Sequence, residues 1–195
     1  LCNLIMAAPL RIEGYAIVSD DGMIADVAGV MPPSLIVPAD QAFFERGLDQ
    51  ADVVVHGRHS QESHENSARR KRIIATRSVA ALKQGSSPLS IYWNPAGASF
   101  DDALAMIGVR GGIAGIIGGT EVFGLFLPRY TAFYLSRVAG LRLPGGRPAF
   151  PQVPERTPDE VLLEQGLRPG PIQLLDAVRD VSVVTWEPSV GLRVG

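Results

Sequence analysis

Cysteine is almost missing from this chain. Of 195 residues only Cys2 is a cysteine. An internal disulfide and a cysteine-rich metal site are therefore excluded, and the usage fits a reducing cytoplasm. Histidine is scarce as well. His56, His59 and His64 cluster, but their spacing matches no zinc pattern, so no metal is expected. Neither sign of charge is in excess: 18 basic residues stand against 20 acidic ones, a net charge of -2. Such a balance gives no electrostatic support for nucleic-acid or membrane-surface binding. Long apolar runs are absent too, because charges and prolines interrupt each one. Residues 1 to 10 are mostly apolar but lack a basic leader and fall far short of a membrane span. They read as a first strand or a packed tail. There is no Gly-x-Ser-x-Gly elbow, no Walker loop and no complete Gly-x-Gly-x-x-Gly fingerprint.

What remains is globular composition. Apolar residues make up 46% of the chain, enough for a substantial core in one domain spanning residues 1–195. The pattern alternates strands and helices. Strands are expected at 14–19, 52–56, 72–76, 89–93, 113–117, 132–138 and 181–186. Helices are expected at 39–48, after Pro38 in a first turn, at about 101–107, capped by Ser99 or Asp101, and at 121–127. Residues 26–37 read as a loop. The last third is rich in proline and glycine. This is an α/β pattern with a mostly parallel sheet and a late antiparallel return.

The stretch Ile116-Ile117-Gly118-Gly119-Thr120-Glu121-Val122-Phe123 carries most information. It reads as a buried strand ending at a glycine pair, then the start of a helix. Glycine lets backbone approach a ligand where a Cβ would clash. In α/β sheets ligands bind beyond the carboxyl ends of strands. Three turns qualify: Gly57-Arg58, Thr76-Arg77 and Gly118-Gly119. Asp40 shares a helix face with Phe43 and Phe44, at i+3 and i+4. An acid there either favours the helix dipole from the first turn, or sits on an apolar face where it must be paired or useful.

The order of motifs resembles dihydrofolate reductase and its wider superfamily, which includes the pyrimidine reductases of riboflavin synthesis. The matching pieces are Asp21-Gly22-Met23-Ile24-Ala25, Met31-Pro32, Pro38-Ala39-Asp40 with Phe43-Phe44, and the run from Val55 through Gly57-Arg58-His59-Ser60 to Ser63. Arg70-Lys71-Arg72-Ile73-Ile74, Ile117 to Phe123, Phe126-Leu127-Pro128, Tyr134-Leu135-Ser136-Arg137 and Phe150-Pro151 complete the set. They cover roughly residues 14–151; a strand-rich ending at about 172–187 matches only generically. The resemblance implies a three-layer sandwich with a mostly parallel central sheet and an antiparallel C-terminal strand.

It also implies chemistry. Hydride passes from the nicotinamide of NADPH to C6 of a dihydropterin ring, converting dihydrofolate to tetrahydrofolate in the cytoplasm. Asp40 is the catalytic acid, binding the 2-amino and ring N–H groups. Ser136 hydrogen-bonds that acid, unless it is an ordinary strand serine. Ile17 and Phe44 wall the ring, or are simply core. Arg70 pairs with the glutamate-tail carboxylate, or is part of a solvated basic approach to a strand. Arg58, with Gly57, His59 and Ser60, meets the cofactor phosphates, joined by Thr76 and Arg77; the bland alternative is two surface arginines. Ala25, Ile117, Gly118, Gly119, Thr120, Glu121 and Val122 complete the cofactor contacts, and the glycine pair is expected to be joined by a cis peptide.

Three departures bear on the substrate. Met31-Pro32-Pro33 stands where the folate enzymes usually have a tryptophan after the proline. Phe123 replaces the commoner tyrosine, and Glu121 puts a negative charge near the expected phosphates. A same-fold reductase acting on a ribosylamino-pyrimidine or other heterocycle is therefore the alternative, and a catalytically silent nucleotide-binding relative is a third. A homodimer through residues 1–12 and 144–171 is one option; surface loops are the other.

Overall fold

A computed structural model describes residues 8–60 and 64–189. Strand β1 (Leu10–Val18) is followed by the short β2 (Met23–Ala25) and a 3-10 turn at Pro33–Leu35. Helix α1 (Pro38–Leu48) comes next, then β3 (Val53–Gly57), a 3-10 turn at Glu65–Arg69, β4 (Arg72–Ala75), β5 (Leu82–Gln84) and β6 (Ser90–Trp93). Then follow α2 (Phe100–Met106), β7 (Gly112–Ile116), α3 (Thr120–Leu125), a 3-10 turn at Leu127–Arg129 and β8 (Ala132–Val138). The two-residue β9 (Arg147–Pro148), α4 (Pro158–Glu164), β10 (Leu167–Asp176) and β11 (Val181–Pro188) finish the chain.

Nine of these strands form one sheet in the order β10-β11-β8-β1-β7-β3-β4-β6-β5, while β2 and β9 pair separately. From β8 to β6 every pairing is parallel. Both flanks are antiparallel: β11 and β10 on one side, β5 on the other. The expected α/β architecture is thus present, with α1 on one face and α2, α3 and α4 on the other. Five elements go beyond the sequence reading, two of them the small paired strands β2 and β9. Strand β5 is short, α4 lies inside the proline-rich region, and β10 carries Pro169 and Pro171. Proline is tolerated there because β10 is an edge strand, with no ladder partner on its outer side among the described residues. The first strand or packed tail expected at 1–10 lies mostly outside the described residues, within which pairing begins at Leu10.

Two layers of apolar contact hold the helices on. On the α1 face, Tyr15, Leu48 and Val54 pack with Phe43, Phe44, Ile117 and Tyr134. Tyr15 stacks on Tyr134 at 4.7 Å between ring centres and meets Phe44 edge-on at 6.0 Å. Close approach of α1 depends on Gly47, where a Cβ would sit 2.5 Å from the Tyr15 hydroxyl oxygen. On the opposite face, fully buried Phe133 meets Phe123, Tyr130 and Phe150, with centroids 5.0–5.6 Å apart. Gly14 on β1 leaves room for that ring; a Cβ there would lie 2.3 Å from it.

Helix ends follow local chemistry. Ser99, rather than Asp101, caps α2: its Oγ accepts the Asp102 N–H at 3.0 Å, and the Asp102 carboxylate accepts the Ser99 N–H at 3.1 Å. Thr157 and Glu160 repeat this reciprocal cap on α4. No helix of the described residues is long and apolar enough to cross a membrane.

Candidate active site

A cleft of about 1940 Å³ runs along the carboxyl ends of the parallel strands. Sites for single small ligands are typically about 300–1,000 Å³, so this one has room for two. Among the residues singled out above, Ile17, Ala25, Asp40, Phe44, Gly57, Arg58, His59 and Ser60 line it. Thr76, Arg77, Ile117, Gly119, Thr120, Glu121, Val122 and Ser136 line it as well. Gly118 and Arg70 do not.

The acid end is built from three elements. Ile17 on β1 and Ser136 on β8 are direct partners in the parallel ladder, so their side chains share one face. Helix α1 lies over that face and delivers Asp40 from its first turn. Asp40 is only 9% exposed and Ser136 only 2%. Burial pushes the Asp40 carboxyl above its ordinary pKa, and a hydrogen bond with Ser136 partly opposes the shift. The helix-dipole alternative does not account for this burial, since a dipole-favouring acid works equally well exposed to solvent. Among the described residues no ion pair involves Asp40, whereas Arg70 pairs with Glu45 and Asp49.

The phosphate end is built from the strand termini. The Gly57 N–H donates to the Gly118 carbonyl at 2.8 Å, joining the end of β3 to the turn after β7. The Gly118–Gly119 peptide is cis, and Gly118 has φ of 107°. At Gly57 a Cβ would occupy space between Val122 and Gly119, 3.6 Å from the Val122 Cγ2. At Gly119 it would come within 3.2 Å of Ser60 Oγ. The contact is ordinary at Gly57 and tight at Gly119, and both glycines line the cleft. Arg58 and Arg77 stand exposed at its rim.

Several hydroxyls have other duties. Thr76 Oγ1 lies 2.9 Å from Ser78 Oγ and accepts the Ser78 N–H at 3.1 Å, which shapes the turn after β4. Thr120 Oγ1 donates to the Pro148 carbonyl and ties α3 to β9. Buried His56 does not line the cleft, and its Nδ1 lies 2.7 Å from the Gly57 oxygen.

Arg70 belongs to a different neighbourhood. Its Nη2 donates to Glu45 Oε2 on α1 at 2.9 Å and to Asp49 Oδ1, at the C-cap of that helix, at 2.6 Å. It lines a separate hollow of about 580 Å³ with Asp49, Asn66 and Lys71. The cleft also gains Tyr134, Arg147, Ser78 and Asn94, which sequence reasoning missed. Tyr134 had a usable signal, two residues before Ser136 in a quoted motif and so on the same strand face, and Arg147 a weaker one, as a cation near the Phe150-Pro151 motif. Among the described residues no group of three or more His, Cys, Asp or Glu is placed to hold a metal ion.

By sequence, no protein-family model and no curated protein matches the chain. By structure, two similar proteins are informative. One is named as a riboflavin biosynthesis protein of Shewanella sp. PV-4: TM-score 0.63, 16% identity, 91% of this chain and 98% of that one covered. The other is dihydrofolate reductase of Enterococcus faecalis, complexed with NADP(H) and RAB-propyl: TM-score 0.62, 17% identity, 92% and 96% covered. With the strand order, the glycine turn and the cleft already described, these likenesses show that the chain has the dihydrofolate reductase-like fold.

Proposed function

We propose that this chain is an NADPH-dependent reductase of a dihydropterin ring, the reaction that converts dihydrofolate to tetrahydrofolate. The observation that carries this reading is the buried Asp40 on the aromatic wall of the cleft, hydrogen-bonded to Ser136. A carboxylate offers two acceptor oxygens, which suits a paired amino and ring N–H edge. Ile17 and Phe44 supply apolar walls, which orient a flat ring and keep water from it. Raised by burial, the Asp40 carboxyl is tuned toward holding a proton beside the ring.

The residues at the other end fit a nicotinamide dinucleotide. Bare glycines admit backbone contact with a pyrophosphate, and Arg58 and Arg77 offer guanidinium forks for a ribose phosphate. The cofactor, when bound, supplies the hydride; the protein positions two rings and manages one proton. Replacing Arg58 and Arg77 together with alanine is expected to raise KM for NADPH roughly tenfold or more and to leave KM for NADH within about twofold. Steady-state kinetics with the two cofactors checks this.

A second reading, reduction of a ribosylamino-pyrimidine, draws on the likeness to the Shewanella protein and on Pro33 in the loop before α1. Methotrexate separates the two. Tight binding, with loss of activity and loss of binding in Asp40→Asn, supports the pterin site; no binding favours the pyrimidine.

A further inference from the structure

Helix α1 carries Asp40 in its first turn, yet that end of the helix has no side-chain cap. The N-cap is Val37, which offers no oxygen to the first N–H groups, and the helix opens on Pro38. The other end is anchored, because Arg70 binds Glu45 and the C-cap residue Asp49. An anchor for the start comes from 143 residues along the chain. Arg179, in the turn between β10 and β11, brings its guanidinium to the 3-10 turn ahead of α1. Its Nη1 donates to the Ile36 carbonyl at 2.8 Å. Its Nη2 donates to the Ser34 carbonyl at 3.1 Å and, more distantly, to that of Pro33 at 3.5 Å. The last carbonyls of a helical turn find no partner inside it, and a guanidinium fork can take several at once.

The turn bearing Arg179 is itself fixed. Asp176 Oδ1 accepts the N–H of Val178 at 2.9 Å and that of Arg179 at 3.0 Å. The segment it holds is also plugged into the sheet: Leu35 and Val37 are buried in one cluster with Ile17, Val138 and Val181. Leu35 and Ile36 line the cleft together with Asp40, whereas Arg179 does not. We infer that Arg179 is a positioning residue: it fixes the turn at 33–36, and through it the first turn of α1, so that Asp40 meets the substrate ring in one place. The inference rests on the reductase reading above and adds to it a residue outside the cleft.

Two measurements compare Arg179→Ala with the wild type. The first, amide hydrogen exchange, needs no substrate. Faster exchange is expected at Leu35, Ile36 and Gln41, whose N–H groups donate to the carbonyls of Pro32, Pro33 and Val37, with no change at Asp49 at the far end of α1. The second is kinetics with dihydrofolate and with dihydrobiopterin. The kcat/KM for the pterin is expected to fall about tenfold or more, the scale of a slightly misplaced group, while Kd for NADPH stays within about twofold. A merely destabilised protein would lose both together. Arg179→Lys should recover part of the loss, since one ammonium does not span three carbonyls, and it carries the test if the alanine variant folds poorly. Unchanged exchange at Leu35, Ile36 and Gln41, full pterin turnover in Arg179→Ala, or NADPH binding lost in step with turnover overturns the inference and leaves the reductase reading intact. No turnover of either pterin by the wild type overturns the reductase reading and the inference with it.

Discussion

Asp40→Asn is expected to lower kcat for the dihydropterin substrate by about a hundredfold or more, within the range for losing a positioned acid–base group. The amide keeps the shape but puts a donor where one carboxylate acceptor stood, and it carries no titratable proton. The same variant is expected to be more stable than the wild type at neutral pH. Burial raises the folded-state pKa of Asp40 above its unfolded value, so the folded protein holds this proton more tightly than the unfolded chain does. The contribution of Asp40 to stability is therefore fullest below the ordinary 3.8, and it is lost as pH rises through the raised value. Asparagine has no such dependence. The melting-temperature advantage of Asp40→Asn should accordingly be larger at pH 7.5 than at pH 4. A variant that loses activity and stability together would instead mark Asp40 as a structural residue.

Phe133→Ala is expected to destabilise the fold by about 3–5 kcal/mol, the usual cost of emptying a buried phenylalanine site. Phe133 lies on the β8 face opposite the Asp40 cleft, fully buried among Phe123, Tyr130 and Phe150. Its neighbours are themselves rings locked against the sheet, which leaves little freedom to collapse into the gap. At this chain length such a loss corresponds to roughly 6–20 °C in melting temperature. Thermal unfolding followed by circular dichroism measures it. Because Ser136 lies on the same strand but on the other face, the folded fraction at low temperature should retain methotrexate binding on the pterin reading. A drop of only a degree or two would mean that this aromatic layer is not the centre of the core.

Legibility followed the strength of local signals. Strand β8 and helix α1 were plain because the apolar, aromatic-rich run Ala132–Leu135 and a Pro38 start leave few alternatives. Helix α4 was hidden by the surrounding prolines, although Thr157 and Glu160 write a reciprocal cap three residues apart, with Pro158 at the first helical position. Strand β10 was hidden by Pro169-Gly170-Pro171, which punctuate a central strand but not an edge. In the cleft, the turns carrying Gly57, Thr76 and Gly119 were legible because their glycines and hydroxyls stand at strand ends. The meeting of Asp40 with Ser136 was not, since nothing in 95 intervening residues states that β8 pairs with β1 in register. The family resemblance supplied that link. Arg70 shows the opposite case. A run of basic residues hides which one turns inward, and only the packing of α1 decides that Arg70 meets Glu45 and Asp49.

The most direct measurement is NADPH consumption, followed optically, with dihydrofolate and with dihydrobiopterin, for the wild type beside Asp40→Asn. The expected result is turnover of at least one dihydropterin by the wild type, slower with NADH, and loss of that turnover by about a hundredfold or more in the variant. No turnover of either pterin, or an Asp40→Asn protein as fast as the wild type, would contradict the account.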